Sequence, residues 1–117
     1  MDIESFRDYC LSKKGVTESF PFDNVTLVFK VFGKMFALTD VETFESINLK
    51  CDPDKALQLR ELYPAVLPGF HMNKTHWNTI IMDGSVSNSL IFSWTDHSYD
   101  LVVQKLSSKL REEFRSF

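Results

Sequence analysis

The chain changes its hydrophobic period at Val25, and that change narrows the folds open to it. VTLVFKV (25–31) and MFALTDV (35–41) are rich in Val, Phe, Leu and Thr, and Phe32, Gly33 and Lys34 lie between them. Two β-prone runs joined by a short glycine-bearing link predict a β-hairpin. Val25, Leu27, Phe29 and Val31 fall on one face of the first run; Val28 and Phe32 fall on the other, interrupted by Thr26 and Lys30. One face is therefore expected to pack on helices. The second, half apolar, is expected either to meet a partner or to be covered by a later helix.

The flanking segments read as helices and strands in blocks. Asp2 is an N-cap for a helix of about three turns carrying Ile3, Phe6, Cys10 and Leu11, which Lys13, Lys14 and Gly15 bring to an end. VTESFPFDN (16–24) is a connection with at most a short strand, given Pro21 and the Asp23-Asn24 pair. ESINLKC (45–51) alternates cleanly, with Ile47, Leu49 and Cys51 inward and Ser46, Asn48 and Lys50 outward. Asp52 followed by Pro53 starts a second helix, with Ala56, Leu59, Leu62 and Tyr63 on one side and Pro64 as its stop. LPGFHMN (67–73) and THWNTIIM (75–82) predict two further strands joined near Asn73 and Lys74, with Asp83-Gly84 as the closing turn. SNSLIFSWTDHSYDLVVQKL (87–106) is helical, with a break expected near Asp96 or His97, where Asp96 and Ser98 are both capping residues. SSKLREEF (107–114) adds a short polar helix.

The order helix, three strands, helix, two strands, helices predicts an α+β domain with an antiparallel sheet, because strands and helices do not alternate singly. At 117 residues the chain fits one domain, 1–117, with a core that needs no disulfide or metal. No apolar stretch is long enough to span a bilayer, and the acidic, amphipathic N-terminus differs from a secretory leader, so a soluble cytoplasmic protein without membrane contact is expected. Cys10 and Cys51 have no CxxC or Cys/His spacing around them and read as small buried residues. A formal net charge of −3 means that any contact with nucleic acid has to come from a local patch, since the field of the whole molecule repels phosphate.

The chemistry concentrates in Pro68–Gly84, PGFHMNKTHWNTIIMDG, where Lys74 is the only charged side chain between Ala65 and Met82. For nucleic acid, Lys34 and Lys74 at two hairpin tips would touch phosphates, Lys30 and Lys50 would stand outward on strands, and Asn73, Asn78 and His76 would donate to phosphates or base edges. The plainer reading is that these lysines solvate strand edges. Trp77 and Trp94 read as core. His71, His76 and His97 have Asp83, Asp100 and the serines 85, 87 and 98 within the same stretches, yet no GxSxG elbow accompanies them, and no enzymatic activity is expected. His71, His76 and Asp83 depend on an unknown strand register to converge, so neither a metal nor any other cofactor is expected.

PFDNVTLVFKVFGKMFAL, LRELYPAVLPGFHMNKTHWNTIIMDG and SYDLVVQKL resemble, in order and spacing, the MmcQ/YjbR family of small bacterial proteins over nearly the whole chain. The HMNK and HWN elements carry most of that resemblance. It implies a YjbR-like, secretion-chaperone-like α+β fold, also compared with the frataxin-like CyaY arrangement, and a DNA-binding role through a double wing of strands. The family pattern falls on His71, Met72, Asn73, Lys74, His76, Trp77 and Asn78, then Asp83 and Gly84, then Ser98, Tyr99 and Asp100. Phe70 departs from it, standing where the pattern has a tyrosine, and loses a hydroxyl that would have bonded a base or phosphate. The alternative to DNA is a protein-interaction or small-ligand module without catalysis. The two are separated by geometry: one continuous basic face through Lys34 and Lys74, or a concave pocket rimmed by His71 and His76.

Overall fold

A computed structural model describes residues 1–117. Along the chain run α1 (Ile3–Leu11), β1 (Val16–Ser19), β2 (Thr26–Val31), β3 (Lys34–Asp40), β4 (Ser46–Lys50), α2 (Pro53–Leu62), β5 (Val66–Pro68), β6 (Trp77–Ile81), α3 (Asn88–Gln104) and α4 (Ser108–Ser116). The six strands form one antiparallel sheet in the order β1-β2-β3-β4-β6-β5. The fold is α+β, as the block arrangement of the sequence predicts. No helix is long and apolar enough to cross a membrane.

The β2–β3 hairpin turns on Phe32 (φ 45°) and Gly33 (φ 79°), both left-handed, which is the backbone that a two-residue turn matched to strand twist demands. Phe32 tolerates this conformation while packing edge-on against Phe114 and Phe117 at 5.9 and 5.8 Å. It therefore meets α4 and does not join Val28 on the open face. A register shift at Phe29/Lys30 lets Phe36 and Ala37, adjacent in sequence, both bury fully on the helix side. That is the usual effect of a bulge, which suspends alternation for one residue.

One face of the sheet is closed. Leu27, Phe29, Ala37, Ile47, Leu49 and Ile80 pack against Phe6 and Cys10 of α1 and Ile91, Trp94, Tyr99 and Val102 of α3. Edge-on pairs of Phe6 with Phe29 and of Phe36 with Tyr99, at 5.9 and 5.6 Å, knit the two layers. The other face carries only a small cluster of Val28, Leu38 and Trp77, flanked by Met35 and Met72.

Three expectations change. The short strand allowed within 16–24 is VTES, the edge strand β1 paired with β2, so the first block has four strands where three were expected. LPGFHMN is a strand only through Val66–Pro68. The ladder ends with the Gly69 N–H on the Trp77 carbonyl; the chain beyond it turns instead, with His71 at a left-handed φ of 58° and the Met72 N–H returning to the Gly69 carbonyl. Finally, α3 runs unbroken, capped by Ser87. Asp96 and Ser98 serve tertiary partners rather than a second cap: the Asp96 carboxylate accepts from Tyr9 and Lys13, and the Ser98 hydroxyl donates to the Lys50 and Trp94 carbonyls.

Candidate nucleic-acid interface

Period-two alternation puts Lys30, Lys50 and Trp77 on the open face, at the end of the sheet where the β2–β3 turn lies. Lys30 stands opposite Met35, and Lys50 opposite Trp77. Lys34 at the turn and Lys105, just past the end of α3, close in beside them. Lys34, Met35, Lys50, Trp77, Val102 and Lys105 line a hollow of about 200 Å³. The Lys50 ammonium sits 5.7 Å from the Trp77 ring centroid, within cation–π range. Its pKa is lowered first by burial and then by the charges of Lys105 and Lys34. No carboxylate answers these three lysines. The ion pairs of the chain are Arg7 with Glu18, at 2.7 Å, and Lys13 with Asp96. Lys105 also offsets the negative end of the α3 dipole.

Lys105 was not legible as a site residue. In VVQKL it reads as a lysine at a helix end, and only the packing of α3 along β3 and β4 brings it to the hairpin.

Lys74 does not belong to this group. Its ammonium donates to the Gly69 carbonyl of its own loop at 2.8 Å, its own carbonyl accepts from Arg60, and it lines a separate recess of about 240 Å³ with Pro53, Leu57, Arg60 and Thr75. The expected basic face through Lys34 and Lys74 is thus not formed. Asn78 is also displaced from the interface. Its β6 position turns it to the helix side, where it is 2 % exposed, accepts from Arg60 Nε at 2.7 Å and donates to the Ala56 carbonyl at 3.3 Å. Asn73 accepts from the backbone N–H groups of Thr75 and His76, fixing the turn. His76 is half-buried, with a buried Nδ1 that has no partner.

The rest of the expected pattern is spread through the fold. Met72 packs against the Val28, Leu38 and Trp77 cluster. Asp83 accepts from the Ser85 N–H; hydrogen bonding to Ser85, through its side chain first and then its backbone, lowers the Asp83 carboxyl pKa, and Gly84 takes a left-handed φ of 84° in the same turn. Tyr99 is buried and donates to the Lys14 carbonyl, whereas Asp100 is exposed. Trp94 stacks edge-on against Tyr63 at 5.1 Å. The thiols of Cys10 and Cys51 are free and buried, and burial pushes their pKa values up to about 12 and about 11. His97 Nε2 accepts from the Asp52 N–H at 3.2 Å; burial, then Lys55, lowers its pKa. No three His, Cys, Asp or Glu side chains converge as a metal-binding group.

At the opposite end of the open face lies a cleft of about 490 Å³. Its floor is Thr26, Leu38, Asp40, Ser46 and Asn48; Phe22 and Asp23 of the β1–β2 connection form one wall, and Phe70, His71 and Met72 of the β5–β6 connection the other. His76 does not line it. Both walls are tied down. Asp23 accepts from the Val25 and Thr26 N–H groups, while the Phe70 N–H donates to the Thr79 hydroxyl at 2.8 Å and its carbonyl accepts from Asn48.

Comparison with known proteins gives this arrangement a lineage. The chain is 34% identical over 113 residues to the uncharacterized protein YjbR of Escherichia coli (strain K12), covering 96% of each. It is 36% identical over 96 residues to YbdF of Escherichia coli O157:H7, covering 81% of this chain and 79% of that one. A crystal structure of a Deinococcus radiodurans protein with a DUF419 domain superposes with a TM-score of 0.89 at 38% identity, covering 97% of this chain and 87% of that one. A Pseudomonas syringae protein superposes with a TM-score of 0.73 at 28% identity, over 86% of this chain and 98% of its own. With the YjbR family profile matching residues 11–101, the chain belongs to the YjbR family.

Proposed function

We propose that the chain is a non-catalytic, cytoplasmic DNA-binding module that holds the phosphate backbone through Lys34, Lys50 and Lys105, with Lys30 on the adjoining strand. The observation that carries this reading is the convergence of three ammonium groups with no carboxylate partner. Like charges brought together around a half-sheltered ammonium repel one another, and a phosphate oxygen among them would relieve that repulsion. The residue set differs from the one read from sequence: Lys34, Lys50 and Lys30 stay, Lys105 enters, and Lys74, Asn73, His76 and Asn78 leave. With no base-reading side chain in the group, binding is expected to be weak and indifferent to sequence.

The test is a duplex-DNA titration at two salt concentrations. For three to four phosphate contacts, raising salt from about 50 to about 200 mM weakens binding roughly 40- to 150-fold. Lys34→Ala, Lys50→Ala and Lys105→Ala are each expected to lower the salt slope by about one contact, and Lys74→Ala to leave affinity and slope unchanged. A triple alanine variant that binds as well as the parent overturns the proposal. The cleft favours a second role for the acidic end of the same face, as a ligand site.

A further inference from the structure

The cleft between the β1–β2 and β5–β6 connections has a defined chemistry. Phe22 and Phe70, 64% and 45% exposed, stand on opposite walls without a partner of their own, and Leu38 and Met72 continue the apolar lining between them. Its size lies within the ordinary range for small-ligand sites, which runs from about 300 to 1,000 Å³. Asp23 and Asp40 are its carboxylates and His71 its one imidazole, and no lysine or arginine lines it. Neither aspartate has a cationic partner, since the ion pairs of the chain lie elsewhere. Asp40 accepts the Glu42 and Thr43 N–H groups through Oδ1 alone, so Oδ2 has lone pairs to offer. The hydrogen bonds that tie both walls to the floor strands make the cleft preformed, and a ligand entering it orders little.

We propose that this cleft binds a small organic cation, an aryl-alkyl amine or guanidine whose flat apolar body lies between Phe22 and Phe70 and whose charged group faces Asp40 and Asp23. An anion of the same shape is excluded by the two carboxylates, and a neutral analogue leaves them without a counter-charge. The site is separate from the lysine hollow, which lies at the far end of β3, about 20 Å away along a strand of this length.

An amide-resolved NMR titration of the full chain with phenethylamine, phenylacetate and 2-phenylethanol separates these cases. Phenethylamine is expected to give saturable shifts at Phe22 to Thr26, Leu38 to Asp40 and Phe70 to Met72, with phenylacetate silent and 2-phenylethanol much weaker. Asp40→Asn should weaken amine binding roughly tenfold, as loss of a charge-assisted contact does. Phe22→Ala, at an exposed position that leaves the fold intact, should weaken it roughly three- to tenfold. Lys34→Ala should leave it unchanged, so failure here is distinct from failure of the DNA reading. Equal shifts with phenylacetate or 2-phenylethanol, or parent-like amine affinity in both cleft variants, would overturn the proposal. So would tight binding of an arginine-bearing peptide in the absence of any response to phenethylamine, which would assign the cleft to a protein partner.

Discussion

The two faces of the sheet use the same strands for opposite ends. On the closed face, Phe29, Phe36, Ile47 and Ile80 are sealed under α1 and α3, and every large side chain there is occupied by another. On the open face, Val28, Leu38 and Trp77 pack on one another and on Met35 and Met72, and Lys50 lies over the Trp77 ring, while lysines from the sheet and from the end of α3 gather around one end and two carboxylates line the other. The difference teaches where stability and recognition are kept apart. Alternation along β2 and β4 sends successive residues to the two sides, so neighbours in sequence such as Phe29 and Lys30, or Leu49 and Lys50, serve separate roles.

The largest effect that separates the faces should come from Phe36→Ala, expected to cost about 3–5 kcal/mol because a fully buried ring leaves a cavity. Denaturant unfolding measures this, and the salt slope for DNA should be unchanged in whatever fraction stays folded. Asn78→Ala is expected to cost less, about 1–3 kcal/mol, since it strands Arg60 Nε and the Ala56 carbonyl without buried partners. Faster amide exchange confined to α2 would mark the loss, and an unchanged α2 would show that Asn78 does not hold the helix to the sheet.

The smallest effect is the most local. Lys50 has a pKa below the ordinary lysine value in the folded chain, so the unfolded state holds that proton more tightly. As pH falls from above the ordinary lysine value through the folded value, charging Lys50 takes stability away; as pH rises through the same window, that loss is recovered. Side-chain NMR of Lys50 should give a midpoint below that of an exposed lysine. Added inorganic phosphate should move it upward if an anion enters the hollow, and leave it in place if none does.

Much of this was legible in the sequence. The hairpin announced itself through its period and its glycine, α2 through the Asp52-Pro53 start, and the outward setting of Lys30 and Lys50 followed from alternation alone. The rest depended on partners distant in sequence. Asp96 and Ser98 look like helix caps because short polar side chains usually are, yet Tyr9, Lys13 and the Lys50 carbonyl claim them, 87, 83 and 48 positions away. Asn78 looks like a donor on a functional motif, but one register position turned it inward to Arg60. Lys74 is at a loop tip, as expected, and is folded back onto Gly69 by a local bond that no periodicity announces. Lys105 is the converse case, made relevant by the path of α3 and by nothing in its own neighbourhood.

Gly69 sets a limit on how far this surface can be rewritten. A β-carbon there would lie 2.8 Å from the Trp77 Cβ and 2.9 Å from its carbonyl oxygen, too close for a main-chain neighbour to yield. The main chain at this position leaves no room for a side chain. Swapping in even alanine would lift the strap carrying Phe70 from the sheet and leave the aromatic wall unmoored.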